Sequence, residues 1–179
     1  MSDIRGVCIT MCTPFASTGE FAYLSEAEKR QVIEVADKHI DGRVPIVAQS
    51  SAMSTSATIE ASKHAVDHGA EVLMVLPPWL ESPFERGVLW HYEQVAKNVP
   101  DADIMVYNIP GASGVEVTPN MYRRLLQVDN IQYIKDSADD LARHQKLIAT
   151  GGKVFCGADP IAPFAKMAGA VGWIWGPPT

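Results

Sequence analysis

The sequence predicts an α/β fold, specifically a (β/α)8 TIM barrel that is incomplete over these 179 residues. Apolar β-rich segments alternate with helical patterns, which is typical of βαβ units and a parallel sheet. The predicted strands are apolar on both faces, as buried parallel strands are. Polar or reactive side chains stand at several strand ends, where a barrel carries its chemistry. These residues are Thr13, Gln49, Tyr107, Asn108, Lys135 and Asp136.

Seven strands are predicted from runs of β-branched and aromatic residues that end at turn residues. They are Gly6–Cys12, Val44–Ala48, Glu71–Leu76, Asp103–Asn108, the lysine strand within Ile131–Ser137, Lys153–Cys156 and Ala170–Trp175. A complete barrel has eight strands and takes about 250 residues. The interval from Gly6 to Val44 contains only one convincing helix. We therefore expect one barrel domain over residues 1–179, with segments missing near residues 15–18 and after residue 179, so that Ala16 and Ser17 need not be neighbours in the whole protein.

Helices are predicted between these strands from apolar periodicity and from capping residues. Ser25 and Glu28 form a capping box, Gly69 is a suitable residue to follow a helix end, and Thr118-Pro119 opens a helix. The predicted helices are Glu26–His39, Thr55–His68, Phe84–Asn98, Pro119–Leu126, one that starts at Asp139 or Asp140 and ends before Gly151, and Pro160–Met167.

A doubly wound open sheet is the alternative architecture. The first strand is not followed by a glycine-rich dinucleotide turn or a P-loop, the main motifs of that fold. Polar or reactive residues stand at the ends of several different strands, which favours the barrel.

The composition excludes several classes of function. A net charge of −6 without a lysine or arginine cluster argues against nucleic-acid binding. The longest apolar runs are strand-sized, which argues against a membrane span. The N-terminus lacks signal-peptide character, and three cysteines give no disulfide framework, which fits a cytoplasmic protein. Cys8 and Cys12 would share a strand face, where core packing is a better interpretation than metal binding.

Lys135 is the strongest candidate for a reactive residue. It follows the apolar run Ile131-Gln-Tyr-Ile134 and precedes a polar Asp-Ser turn. An amine at the end of a buried strand is poorly solvated, which disfavours its charged form and prepares it to attack a carbonyl. The alternative is a strand-end lysine that extends to water.

Several motifs resemble the dihydrodipicolinate synthase/N-acetylneuraminate lyase family. They are Tyr107-Asn-Ile-Pro-Gly111 followed by Ile134-Lys-Asp-Ser137, the stretch Ser17-Thr-Gly-Glu20, and the last strand Gly169-Ala-Val-Gly-Trp-Ile-Trp175. The resemblance implies a (β/α)8 barrel that forms a lysine Schiff base with a 2-oxo acid, usually pyruvate, without a metal or organic cofactor. It also implies a homo-oligomer, a tetramer or a dimer.

The resemblance assigns roles to six residues. Lys135 would form the imine and Tyr107 would transfer protons as a general acid and base. Ser17 and Thr18 would hold the substrate carboxylate, while Trp79 and Ser113 would shape the pocket for the remainder of the substrate. Without the resemblance, Ser17 and Thr18 read as an ordinary turn, and Tyr107 reads as a half-buried strand aromatic.

Two departures from the family pattern suggest that the chain is not dihydrodipicolinate synthase itself. Ala112 stands where enzymes of that activity have an arginine, and Trp79-Leu80 stands where they have two tyrosines. We therefore expect a lyase or aldolase that acts on another aldehyde or on a 2-oxo-3-deoxy sugar acid.

Three other functions remain open at this stage. A dehydratase or deaminase would use the same imine, and a non-catalytic member would only bind a small acid. A metal-dependent barrel enzyme would need His64, His68, His91 or His144. Those histidines fall within predicted helices and read as surface residues, away from the strand ends.

Overall fold

The computed structural model describes residues 3–10, 24–79 and 83–175, and in these ranges seven strands form one sheet. The strands are β1 (Gly6–Ile9), β2 (Ile46–Gln49), β3 (Ala70–Val75), β4 (Asp103–Asn108), β5 (Ile131–Asp136), β6 (Lys153–Cys156) and β7 (Gly172–Trp175). Their order across the sheet is β1-β7-β6-β5-β4-β3-β2, and every pair is parallel. This arrangement confirms the prediction of an incomplete (β/α)8 barrel.

The helices occur where the sequence predicts them, with one short addition. They are α1 (Glu26–Ile40), α2 (Thr55–Asp67), α3 (Glu85–Asn98), α4 (Pro110–Ser113), α5 (Pro119–Leu125), α6 (Leu141–Ile148) and α7 (Ala162–Ala168), with a 3-10 turn at Asp159–Ile161. Ser25 and Glu28 form the predicted capping box, and Asp140 caps α6. The single turn α4 was not predicted, because its Pro-Gly start reads as a turn. In the described parts of the chain, no helix combines the length and apolarity that a membrane crossing requires.

The two faces of the sheet explain why its strands are apolar throughout. Successive side chains of a strand point to opposite faces. Ile104 and Ile134 belong to the layer that packs against the helices. Their neighbours Met105 and Tyr133 belong to a second cluster on the inner face of the barrel. All four side chains are fully buried, so both faces of the central strands are core.

The missing segments that were expected near residues 15–18 and after residue 179 fall outside the described ranges. Thr13, Ser17 and Thr18, and the end of the first predicted strand at Cys12, also lie outside the described ranges. Cys8 and Cys156 are free thiols within them, and burial raises the pKa of both, which disfavours the thiolate and fits packing rather than reactivity.

The prediction that the helical histidines are surface residues is wrong for His91 and His144. Both are buried, because they lie on the faces of α3 and α6 that pack inwards. His91 shares its face with Val88, Tyr92 and Val95, at the three- and four-residue spacing of one helix side. Its Nδ1 atom lies 2.9 Å from Thr55 Oγ1.

The burial of His91 predicts a loss of stability in mild acid. Burial lowers the pKa of His91 from an ordinary value of 6.5 to about 4. Between these two values the unfolded chain binds a proton that the folded chain does not, so acidification favours unfolding. His91 alone should therefore remove about 2 kcal/mol from the unfolding free energy between pH 7 and pH 5. Urea titrations at the two pH values measure this loss.

The control compares two histidine variants in the same titrations. His91→Gln keeps a hydrogen-bonding side chain beside Thr55 and should reduce the acid-induced loss. His39→Gln changes an exposed histidine of α1 and should leave the loss unchanged. Equal acid-induced losses in the wild type and in His91→Gln would contradict the assignment.

The hydrogen bonds of Asn130 lead to a second prediction about the free energy of unfolding. Its buried Nδ2 atom lies 3.2, 3.0 and 3.1 Å from the carbonyl oxygens of Ala96, Val99 and Ala102, so it closes the turn between α3 and β4. Asn130→Ala removes a buried donor that serves all three carbonyls and should lower the unfolding free energy by about 1–3 kcal/mol. The exposed substitution Asn120→Ala should change it by less than about 0.5 kcal/mol. Similar losses in the two variants would refute this role of Asn130.

Candidate active site

The carboxyl ends of β4 and β5 bring Lys135 and Tyr107 together. The two residues are direct partners in the parallel register of these strands. Lys135 Nζ lies 4.1 Å from the centroid of the Tyr107 ring. Both side chains follow the alternation of Met105 and Tyr133, which places them on the inner face of the barrel. Lys135 is 8% exposed, so its amine is largely withdrawn from water.

The surroundings of Lys135 differ from those of a lysine held in an ion pair. Among the described residues, no carboxylate lies within ion-pair distance of Lys135 Nζ. At the opposite end of the sheet, Lys153 Nζ lies 2.9 Å from Asp3 Oδ1, and this contact raises the pKa of Lys153. Both amines lie over a tyrosine ring, since Lys153 Nζ is 4.9 Å from the centroid of Tyr133. A carboxylate partner and a more exposed side chain therefore distinguish Lys153 from Lys135.

A cavity of about 430 Å³ opens at the Lys135 end of the sheet. Its lining comprises Thr10, Tyr107, Ile109, Lys135, Ser137, Asp139, Gly157, Ala158, Asp159, Pro160 and Ile174. The volume suits a small organic acid. Ser137, Asp139 and Asp159 add hydrogen-bonding groups that the sequence analysis did not select. They directly follow β5 and β6, so the same strand-end rule that selected Lys135 would have found them.

Gly157 leaves the space that the lysine side chain occupies. A Cβ atom at this position would lie 2.7 Å from Lys135 Cε and would collide with Ser137 Oγ. The backbone also connects the strand ends here, because Gly157 N donates to Asp136 O at 2.8 Å and Ser137 N donates to Asn108 O at 2.9 Å. The lysine is thus confined by backbone on the β6 side and by the Tyr107 ring on the β4 side.

A buried polar network on the other face holds these strand ends in place. Asn108 and Asp136 are partners in the same register, one residue beyond Tyr107 and Lys135. Asn108 Nδ2 donates to Asp136 Oδ1 at 2.6 Å, and Arg143 Nε of α6 donates to the same oxygen at 2.9 Å. Asp136 is fully buried, so its charge depends on these partners.

The same network fixes the loop before α5. Val117 N donates to Asn108 Oδ1 at 2.8 Å, and Arg143 also donates to Val117 O and to Glu116. Arg143 therefore joins α6, the end of β5 and this loop through one side chain. Sequence analysis noted Asn108 and Asp136 at their strand ends but gave no sign of Arg143, which lies within a helix.

Two of the other predicted site residues, Trp79 and Ser113, are not among the described residues that line the cavity. Ser17 and Thr18 lie outside the described residues, as does Leu80. Trp79 is half-buried after β3. Ser113 is buried, and its Oγ atom lies 3.0 Å from the carbonyl oxygens of both Ile109 and Val115. The hydroxyl of Ser113 thus serves the turn that contains it.

Known proteins with similar sequences and structures point to one group. The chain is 34% identical to 4-hydroxy-tetrahydrodipicolinate synthase of Kosmotoga olearia over 86% of its length, and 37% identical to the enzyme of the same name from Syntrophobacter fumaroxidans over 78%. The chloride-inhibited dihydrodipicolinate synthase of Acinetobacter baumannii, solved with pyruvate, superposes with a TM-score of 0.86 at 33% identity. That match covers 96% of this chain and 58% of the other. This chain spans 50% and 47% of the two curated relatives.

These relatives overturn one prediction. The sequence analysis concluded from Ala112, Trp79 and Leu80 that the chain is not dihydrodipicolinate synthase itself. Relatives named for that synthase activity nevertheless match at 34% and 37% identity, so the prediction is wrong. The structure also weakens its premise, because Ala112 is exposed in α4, and neither Ala112 nor Trp79 lines the cavity at Lys135.

The family assignment itself rests on nearly the whole chain. The family model described as the dihydrodipicolinate synthetase family matches residues 9–175, which include every strand from β2 to β7 and both Tyr107 and Lys135. The fold and the curated relatives agree with this match. The chain therefore belongs to the dihydrodipicolinate synthetase family.

Proposed function

We propose that the protein is a Schiff-base lyase or aldolase in which Lys135 forms an imine with a 2-oxo acid of the pyruvate type. The observation that carries the proposal is the withdrawn Lys135 amine, 4.1 Å from the Tyr107 ring centroid and without a carboxylate partner among the described residues. A strand-end amine in a cavity of about 430 Å³ has the access that a small acid needs. The A. baumannii relative was solved with pyruvate, which supports this substrate class.

The chemistry follows from the properties of an imine. The Lys135 nitrogen attacks the 2-oxo carbon, a carbon–nitrogen bond replaces the carbonyl, and one water molecule leaves. The protonated imine withdraws electrons, so the neighbouring carbon loses a proton and the adduct becomes an enamine. The enamine carbon then attacks an aldehyde to form a carbon–carbon bond. In the reverse direction the same adduct breaks that bond.

Tyr107 is proposed to transfer the protons of these steps. The Lys135 amine lies over its ring, and both residues stand at paired positions of neighbouring strands, so Tyr107 is held on a rigid element next to the amine. The Asn108–Asp136–Arg143 network would act as positioning machinery behind both residues. Ser17 and Thr18 are proposed to bind the substrate carboxylate. Trp79 and Ser113 are proposed to shape the pocket farther from the amine, although the hydroxyl of Ser113 would have to leave its backbone partners.

We also propose the setting in which the whole protein works. Homo-oligomers with closed symmetry are the common state of soluble enzymes, and a tetramer or a dimer is the expected assembly in the cytoplasm. The reaction needs no metal or organic cofactor, because the imine itself provides the electron sink.

Borohydride trapping tests the imine directly. Incubation of the chain with pyruvate and sodium borohydride should add one reduced pyruvyl group, located in the peptide that contains Lys135 by mass spectrometry. Lys135→Arg should abolish the addition, because guanidinium is not nucleophilic at neutral pH. Tyr107→Phe keeps the ring and should form the adduct at least about 10²-fold more slowly if the hydroxyl transfers protons.

Lys153→Ala provides the matched control. Lys153 is also a strand lysine over a tyrosine ring, but it pairs with Asp3 at the opposite end of the sheet. Its removal should leave trapping at Lys135 unchanged. Absence of an adduct on the wild-type chain, or equal labelling of both lysines, would refute the proposal.

The confinement of Lys135 by Gly157 gives a further prediction. Gly157→Ala introduces a Cβ atom 2.7 Å from Lys135 Cε, so the lysine must move away from its place beside Tyr107. The rate of borohydride-trapped adduct formation should fall at least about tenfold, since a small displacement of a reacting group is costly. Gly111→Ala is the control, because a Cβ atom there meets nothing within 4 Å. Equal rates in the two variants would show that Gly157 does not confine the nucleophile.

A further inference from the structure

A cluster of three potential metal ligands lies on the outer helices, apart from the lysine cavity. Glu34 of α1 faces His64 and His68 of α2, and one ligand atom from each lies within 4.8 Å of the others. His64 Nε2 is 3.1 Å from Glu34 Oε1. The two imidazole rings stand one helical turn apart, with centroids separated by 4.3 Å. None of the three lines the cavity at Lys135.

The hydrogen bonds within the cluster prepare it for a cation. His68 Nδ1 lies 2.8 Å from the carbonyl oxygen of His64, which makes Nδ1 the donor and leaves Nε2 with its lone pair. A backbone carbonyl on the second nitrogen is the usual way in which a metal-binding histidine is oriented. His64 Nδ1 is buried and has no hydrogen-bond partner among the described residues. The imidazole of His64 therefore has an unused polar atom whichever nitrogen carries the proton.

We propose that Glu34, His64 and His68 form a binding site for a divalent transition-metal ion of the zinc class. Two imidazoles and one carboxylate are ligands that zinc accepts, with a fourth position left for water. Calcium and magnesium are excluded by chemistry, since both select oxygen ligands. Ligand atoms about 2.1 Å from a tetrahedral zinc ion lie about 3.4 Å apart, so small side-chain rotations close the observed arrangement.

The cluster is accessible to an ion from solvent, and an ion bound there would connect two helices. The Glu34 side chain is 48% exposed and that of His64 is 13% exposed, so the cluster is open to solvent on the carboxylate side. Helix α1 buries Ala36 and packs the partly buried Ile33 against the main core. An ion shared between Glu34 and the two histidines would join α1 to α2, which packs on β3.

This site departs from the expectation that no residue of the chain binds a metal. That expectation rejected the histidines because they stand on helices, away from the strand ends where barrel enzymes react. An ion that holds two outer helices together has no need of a place at the strand ends. The zinc site is independent of the imine chemistry, and each can fail without the other.

Calorimetric titration with zinc chloride tests the site on the full chain after chelator treatment. The wild type should bind one equivalent of Zn²⁺. Glu34→Gln should weaken binding by roughly 10-fold to 100-fold, and the double substitution His64→Gln with His68→Gln should abolish it. Replacement of Zn²⁺ by Co²⁺ should produce visible absorption bands in the wild type and in His39→Gln, and none in the double variant. His39→Gln is the matched control, because His39 is an exposed α1 histidine outside the cluster.

Hydrogen exchange measures the mechanical effect without using activity. Zn²⁺ should slow amide exchange in α1 of the wild type and of His39→Gln, and should not slow it in the double variant. Circular dichroism establishes that each variant is folded before the comparison. Stoichiometric binding that persists in the double variant, or wild-type binding no tighter than that of the double variant, would overturn the proposal. Binding without slower exchange in α1 would overturn the link between the helices.

Discussion

The register between β4 and β5 is the constraint on which the candidate site depends. Tyr107 pairs with Lys135, and the next pair along the same strands is Asn108 with Asp136. Because side chains alternate between the faces of a sheet, the first pair must enter the barrel and the second must face the helices. A slip of β5 by one residue would place Asp136 opposite Tyr107 and put a carboxylate where the amine now lies. The same backbone hydrogen bonds therefore position both the Tyr107–Lys135 pair and the Asn108–Asp136 pair.

The outward pair fixes this register through a buried charge. Asp136 is fully buried, and it is neutralised by Arg143 while Asn108 donates to the same oxygen. Loss of one partner of such a buried pair typically costs about 3–5 kcal/mol, because the other charge is left without compensation. The network also reaches Val117, so it determines how the chain leaves β4. The positions of Tyr107 and Lys135 are thus supported by residues on the opposite face of the sheet.

The sequence was informative where a feature is local and uninformative where it depends on packing. The alternation of strands with helices, the capping box at Ser25 and the strand-end position of Lys135 follow from short-range patterns. The structure has all three. The burial of His91 and His144 and the role of Arg143 depend on which face of the helix packs against the sheet. Polar residues within amphipathic helices are ordinarily assigned to water, so the buried exceptions could not be recognised from type alone.

The lining of the cavity shows the same distinction. Asp139 and Asp159 follow strands that were predicted correctly, so their proximity to Lys135 was accessible in principle from the strand-end rule. Asp139 also holds a left-handed backbone with φ of 52°, which aspartate tolerates better than most residues. No pattern in the sequence indicates that conformation. The substrate prediction from Ala112, Trp79 and Leu80 relied on single residue types at pattern positions, and relatives named for the synthase activity overturn it.

Lys135 and Lys153 each lie over a tyrosine ring, but their surroundings differ with their position in the barrel. The two residues stand at opposite ends of adjacent parallel strands. Asp3 holds Lys153 in its charged form, since their contact raises the lysine pKa. An ammonium so held has no lone pair with which to attack a carbonyl. Lys135 borders a cavity and has no carboxylate within ion-pair distance among the described residues, and the proposed role of its amine rests on this difference between the two ends of the sheet.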